Sequence, residues 1–197
     1  MKVVQTPNAN LSVMLFKHQK AWETWLSKHF DSSTGLWLRV AKKSAQLQTV
    51  TYQEALEVAL CYGWIDGQKK TYDESSWLQK FTPRGPKSIW SKINRAKGLE
   101  LISLGRMRPA GLAAIESAKE NGRWDAAYDS HSTAVPPNDF QKALNKSPKA
   151  KAFFATLNSQ NRYAILFRIQ TAKKVETRQK RIERFVQMLA RHEKLYP

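Results

Sequence analysis

Cysteine, long apolar runs and acidic residues are scarce in this sequence, and each scarcity excludes something. Cys61 is the one cysteine, so no disulfide can form within the chain. No apolar run approaches the ~18 residues that a membrane-spanning helix needs. The N-terminal residues contain neither an uninterrupted apolar core nor a small-residue cleavage site, so they do not indicate a signal peptide. Together these absences favour a cytoplasmic protein without a membrane span.

Sequence motifs of metal and cofactor chemistry are also missing. The four histidines (His18, His29, His131 and His192) are scattered, and no pair has the spacing of metal ligands. The sequence contains no phosphate-binding P-loop, no dinucleotide-binding glycine motif and no nucleophile elbow. We therefore predict no metal site and no cofactor.

Basic residues outnumber acidic residues by 33 to 16, which gives a net charge of +17. The excess lies mainly in residues 68–108, with +7, and in residues 146–197, with +10. Such an excess favours an anionic partner, such as nucleic acid or acidic lipid head groups. The alternative is that the basic side chains only keep helix surfaces solvated.

The first half of the chain predicts alternating helices and strands after a loosely held lead-in over residues 1–15. A helix is expected from about Lys17 to His29, and Leu36–Val40 alternates as a strand does. The capping box Thr51-Tyr52-Gln53-Glu54 predicts a helix that ends near Gly63. Residues 64–72 and 77–82 then form a predicted hairpin. Cys61 lies in the apolar run before it, which indicates a small buried residue rather than a nucleophile.

The second half is expected to be helical. Ser88 or Ser91 caps a helix that carries Trp90, and Pro109 occupies the first position of the next one. Residues 123–138 read as a linker, and the last helix, from about 175 to 191, has apolar residues at helical spacing. We predict an α+β protein, with a small antiparallel sheet flanked by helices and an all-helical C-terminal segment. The predicted domains are 1–134 and 135–197.

The stretch Leu60–Gly98 contains the best candidate binding site. It combines three tryptophans with Asp66 and with the basic turn Thr82–Lys87. Arginine and lysine interleaved with aromatics suit a phosphate-bearing ligand or a single nucleic-acid strand, although Trp90 can equally belong to the core. Asp66 is a weak candidate for a catalytic acid or base. It can equally cap a turn or pair with Lys69 or Arg84. The candidate ligand-binding residues are Trp64, Asp66, Lys69, Arg84, Trp90, Lys92 and Asn94.

Several motifs resemble the bacterial YdeI/OmpD-associated family. They are Tyr62–Lys70, Phe81–Arg84 and Ser88–Asn94. In the tail, the motifs run from Lys151 through Ile169–Lys174 and then over Glu176–Ile182. The resemblance runs from about Trp22 to Leu189 and implies a link to bacteriocin protection and to an outer-membrane porin. It implies no catalytic residue. One departure is Val175, where the family has proline.

Three functional hypotheses remain open. The first is a non-enzymatic binding protein for an anionic ligand such as nucleic acid, linked to stress or to tolerance of antimicrobial peptides or bacteriocins. The second is a small-molecule enzyme in which Asp66 acts as acid or base and Arg84 holds an anionic substrate. The third is an interaction module whose last helix docks onto a protein partner.

Overall fold

The computed structural model describes residues 11–197, and residues 1–10 of the lead-in lie outside it. Within the described residues the chain forms helices and one mixed sheet, which confirms the α+β class. The chain divides into two units. Unit 1 contains residues 11–89 and 94–125, and unit 2 contains residues 90–93 and 126–197. The domain boundary predicted between residues 134 and 135 falls inside unit 2.

The sheet of unit 1 has four strands in the order β1-β2-β4-β3. Their bounds are β1 Val13–Met14, β2 Leu36–Ala41, β3 Trp64–Thr71 and β4 Ser76–Pro83. The three predicted strands are confirmed and pair antiparallel, with β4 between β2 and β3. The predicted small antiparallel sheet corresponds to β2, β3 and β4, and β1 extends it in parallel to β2, so the sheet as a whole is mixed. A strand of two residues is too short to produce an alternating pattern in the sequence.

Unit 1 has an aromatic core where its first helices pack on one face of the sheet, and further helices complete the unit. Its helices are α1 Gln19–His29, α2 Tyr52–Cys61 and α4 Pro109–Glu120, and α3 Lys92–Ser103 begins at the boundary between the units. The buried rings of Trp22, Trp64 and Phe81 meet on the face that also carries Leu36 and Leu38.

Local capping signals fix the ends of these helices as the sequence predicted. Thr51 and Glu54 form the reciprocal capping box of α2. Gly63 takes a φ of 72°, and a Cβ there would lie 2.8 Å from the Ala110 carbonyl oxygen, so α4 packs closely against this turn. Pro109 is in the first turn of α4.

Helix α3 differs from its prediction. It begins at Lys92, so Trp90 precedes it. The residues that α3 buries are Asn94, Gly98 and Leu101. Gly98 therefore lies inside the continuous helix on its buried face.

Unit 2 is a helical bundle. It contains α5 Asn138–Asn145, α6 Pro148–Thr156, α7 Ser159–Gln170 and α8 Val175–Ala190, as the predicted helical C-terminal segment requires. Phe140, Phe154, Ile165 and Phe185 are among the residues of its core. The apolar face of α8 therefore packs inside its own unit, and this face offers no support for docking a partner. Residues 11–197 contain no helix that is both long and apolar enough to cross a membrane.

Candidate functional site

Trp64 lies in the core of unit 1. Its side chain is 0% exposed, and its indole Nε1 donates a hydrogen bond to the carbonyl oxygen of Phe30 at 2.9 Å. The ring packs edge-on against Trp22 and Trp25. A ring enclosed in this way has no free face for a base or another ligand. The structure gives Trp64 a packing role.

Asp66 and Lys69 flank an irregularity in β3, where the pairing with β4 shifts register. The carboxylate of Asp66 accepts a hydrogen bond from the Tyr52 hydroxyl at 2.8 Å. The Lys69 ammonium lies 4.2 Å from the centroid of the Trp77 ring, a cation–π distance. Asp66 is thus held by α2, and its role as an acid or base stays a prediction.

Arg84 and Asn94 are also in unit 1. Arg84 is half-buried, and its Nη1 donates to the carbonyl oxygen of Ile89 at 3.2 Å. Asn94 is buried. Arg84 therefore contributes to the stability of its own turn, and its role in holding a ligand stays a prediction.

Trp90 and Lys92 belong to unit 2. Trp90 is only 3% exposed, which agrees with the alternative that it is a core residue. Lys92 is exposed, and its ammonium forms an ion pair with Asp129 at 2.6 Å. The seven candidate residues are thus divided between the two units, and their action as one site stays a prediction.

Arg123, which the sequence placed in a linker, organises the basic turn. It is buried, and its guanidinium donates to the carbonyl oxygens of Gly85, Pro86 and Ser88. It also donates to the side-chain oxygen of Asn121. No local pattern reveals this contact, because the two segments are more than thirty residues apart in the sequence.

The side of the sheet opposite the core combines aromatic and basic side chains. We call it the outer sheet face and define it by Trp37, Arg39, Lys70, Tyr72 and Lys80. Trp37 and Arg39 belong to β2, where they alternate with the buried Leu36, Leu38 and Val40. Lys80 pairs with Trp37, and Lys70 and Arg39 both pair with Leu78 of β4, so all of them point to the same side.

Two cation–π contacts order the outer sheet face. The Lys70 ammonium lies 4.1 Å from the centroid of the Trp37 ring, and the Arg39 guanidinium lies 5.1 Å from that of Tyr72. Tyr72 is 50% exposed, whereas Leu78 beneath these side chains is 2% exposed. Aromatic surface and positive charge are therefore presented together on a rigid sheet. The alternation in β2 already indicated that Trp37 and Arg39 face away from the core.

Asp73 fixes the hairpin turn beside this face. Its Oδ1 accepts hydrogen bonds from the hydroxyl of Ser76 at 2.7 Å and from the amide of Ser75 at 2.9 Å. Its Oδ2 contacts Arg39 Nη2 at 2.7 Å. These contacts, the Ser76 hydroxyl first, lower the pKa of Asp73 from 3.8 to about 2. Arg39 is thereby held in place over Tyr72.

We expect the hairpin turn to lose stability as the pH falls from about 4 to about 2. The pKa of Asp73 is lower in the folded protein than its ordinary value, so the carboxylate stabilises the fold above that value and loses this effect on protonation. Carboxyl-detected NMR titration should give a midpoint near 2 for Asp73. Ser76→Ala should raise that midpoint, and Ser27→Ala in α1 should not. A midpoint near 3.8 that Ser76→Ala leaves unchanged would contradict this account.

Cys61 has the character expected of a core residue. It is buried, and burial raises the pKa of its thiol, which opposes formation of the nucleophilic thiolate. Within residues 11–197, no three histidine, cysteine or acidic side chains are grouped so that they could hold a metal ion.

Comparison with protein families finds two matches, one in the N-terminal part of the chain and one in the C-terminal part. Residues 14–114 match the model of a domain of unknown function, DUF8412. The chain belongs to the DUF8412 family. Residues 133–192 match the family described as bacteriocin-protection, YdeI or OmpD-associated, which confirms the resemblance of the tail. The central motifs from Tyr62 to Asn94 lie instead in the DUF8412 match. Neither the curated proteins nor the solved structures include a significant match to the chain.

Proposed function

We propose that unit 1 of this DUF8412 protein binds single-stranded nucleic acid on its outer sheet face. The observation that carries the proposal is the placement of Trp37 and Tyr72 among Arg39, Lys70 and Lys80 on one side of the sheet. Proteins that bind single strands combine aromatic platforms for the bases with cations for the phosphates. The outer sheet face supplies both.

The cation–π contacts suggest how a strand would be held. Lys70 lies over the Trp37 ring, so a base that stacks on Trp37 would displace the ammonium toward the adjoining phosphate. Stacking on an aromatic side chain contributes about 1–3 kcal/mol per base. Asp73 and Glu74 at the turn bring negative charge to one end of this face, which favours a strand that runs away from the turn along β2 and β4.

The proposal also covers the biological role of the protein. The description of the family matched by residues 133–192 names bacteriocin protection, and we extend the proposal to tolerance of stress or antimicrobial peptides on that ground alone. The cytoplasmic location expected from the sequence stays a prediction.

A paired charge reversal tests the outer sheet face. We expect Lys70→Glu with Lys80→Glu to weaken binding of a labelled single-stranded oligonucleotide roughly tenfold or more, because phosphate contacts dominate such affinities. The slope of log affinity against log salt is negative, and its magnitude should fall by about 1.4, since each phosphate contact to a single strand contributes about −0.7. Fluorescence anisotropy at several salt concentrations, on nuclease-treated protein, measures both quantities.

The matched control is Lys17→Glu with Lys28→Glu. These two exposed lysines lie next to and within α1, whose Trp22 packs on the core face of the same sheet. The control makes the same change in net charge on the other side of unit 1 and should reduce affinity much less. Equal losses in the two double variants, or no salt-dependent binding by the unaltered protein, would refute the proposal.

A further inference from the structure

A pocket of about 430 Å³ opens beside α7 in unit 2. Tyr163 and Phe167, one helical turn apart, form one wall. The other walls include Tyr196 from the segment after α8 and His131 from the loop before α5, and Arg168 of α7 also lines the pocket. We call this the aromatic pocket. Its volume lies in the range of small-molecule sites, which are usually apolar with a few fixed polar groups.

The wall formed by Tyr196 is held by a buried polar side chain. Asn161 of α7 is fully buried, and its Oδ1 accepts hydrogen bonds from the amides of Leu195 at 3.0 Å and Tyr196 at 2.9 Å. Its Nδ2 donates to the carbonyl oxygen of Tyr196 at 3.2 Å. Arg168 Nη2 donates to the Tyr196 hydroxyl, also at 3.2 Å. The pocket is therefore organised before any ligand enters, which reduces the entropic cost of binding.

Aromatic side chains and the positively charged Arg168 line the aromatic pocket. The ring centroids of Tyr163 and Phe167 are 5.8 Å apart, and those of Tyr163 and His131 are 5.1 Å apart. Arg168 is the permanently charged residue of the lining, and the lining includes no acidic side chain among the described residues. The Tyr163 hydroxyl donates to the carbonyl oxygen of Asp129, and burial raises its pKa, so it stays neutral.

We propose that unit 2 binds a small planar aromatic anion in the aromatic pocket. The ring lies against Tyr163 and Phe167, and the negative substituent pairs with the guanidinium of Arg168. Offset or edge-on ring contacts favour a planar ligand, and a planar guanidinium suits a carboxylate, sulfonate or phosphate group. This inference does not depend on nucleic-acid binding by unit 1.

Three probes of similar size separate the two parts of the proposal. They are 2-naphthoate, its neutral analogue 2-naphthamide, and decahydronaphthalene-2-carboxylate, which keeps the charge and the fused ten-carbon skeleton without the planar ring. We expect calorimetric titration of the full chain to show 2-naphthoate binding at least about tenfold more tightly than 2-naphthamide, the step that one charge-assisted contact typically gives. It should also bind more tightly than the saturated carboxylate, which cannot make aromatic ring contacts. Naphthoate binding should persist in the variant with Lys70→Glu and Lys80→Glu.

Arg168→Gln should reduce naphthoate affinity to that of naphthamide and leave naphthamide binding almost unchanged. Arg184→Gln, on an exposed position of α8, is the matched control and should change neither. If Arg168→Gln proves unfolded by circular dichroism, the comparison of the three probes on the unaltered protein still decides the matter. Equal affinities for naphthoate and naphthamide, or no saturable binding of naphthoate, would overturn the proposal.

Discussion

Trp64→Ala is expected to lower the free energy of unfolding by about 3–5 kcal/mol, the usual cost of removing a fully buried tryptophan. Trp64 has no exposed surface, and it joins the sheet to Trp22 and Trp25 of α1. Its removal would leave a cavity between the helix and the sheet. It would also leave the carbonyl oxygen of Phe30 without the bond that Trp64 donates. Urea denaturation measures the change.

A milder substitution separates packing from ligand binding at this position. Trp64→Phe keeps much of the ring and should remain folded, with a smaller loss of stability and an unchanged affinity for single-stranded nucleic acid. Trp37→Leu on the outer sheet face should behave in the opposite way, with weaker binding at a smaller cost in stability. If Trp64→Ala kept its stability and lost ligand binding, Trp64 would belong to the ligand site that its sequence context suggested.

The elements that sequence analysis predicted correctly have local signals. The capping box at Thr51 and Glu54 involves residues three apart, and the left-handed turn at Gly63 needs only a glycine at the end of an apolar run. The alternation in Leu36–Val40 likewise fixes which side of β2 is buried. Strand β1 has no such signal, because a pair of residues becomes a strand only through its pairing with β2.

The candidate site was harder to predict, because the burial of a tryptophan depends on what packs against it from distant segments. The sequence around Trp64 and Trp90 is rich in glycine and basic residues, as an exposed binding loop would be. Only the fold shows that α1 encloses Trp64. Trp37 is the instructive contrast. Its alternation with Leu36 and Leu38 predicts that Trp37 faces away from the core. No local pattern links it to its partner Lys70, which is more than thirty residues away in the sequence.

Arg123→Met should lower the free energy of unfolding by about 2–4 kcal/mol. The substitution removes a buried guanidinium that donates to carbonyl oxygens of the turn at Gly85, Pro86 and Ser88. A hydrogen bond to a charged group typically contributes about 1.5–3 kcal/mol, and the carbonyl groups left behind must find water. The amides of the turn should also exchange with solvent faster, because the bonds from Gly85 to Ser88 and from Arg84 to Ile89, which would remain, lie within the turn itself. Denaturant unfolding and hydrogen exchange at residues 84–89 measure the two effects.

Arg95→Met is the appropriate control, since Arg95 is half-buried in the same unit and its Nη1 donates to the carbonyl oxygen of Trp124 at 3.1 Å. Its loss should cost about 1 kcal/mol, less than that of the buried Arg123, because the half-buried Arg95 guanidinium stays partly in water, and it should leave exchange in the turn unchanged. Similar costs for the two substitutions, with the turn equally protected in both, would mean that Arg123 does not hold the turn. The expected difference would instead show that the basic turn depends on a residue outside the stretch Leu60–Gly98. The position of the turn that carries Arg84 and Lys87 would then depend on Arg123 as well as on contacts within the turn.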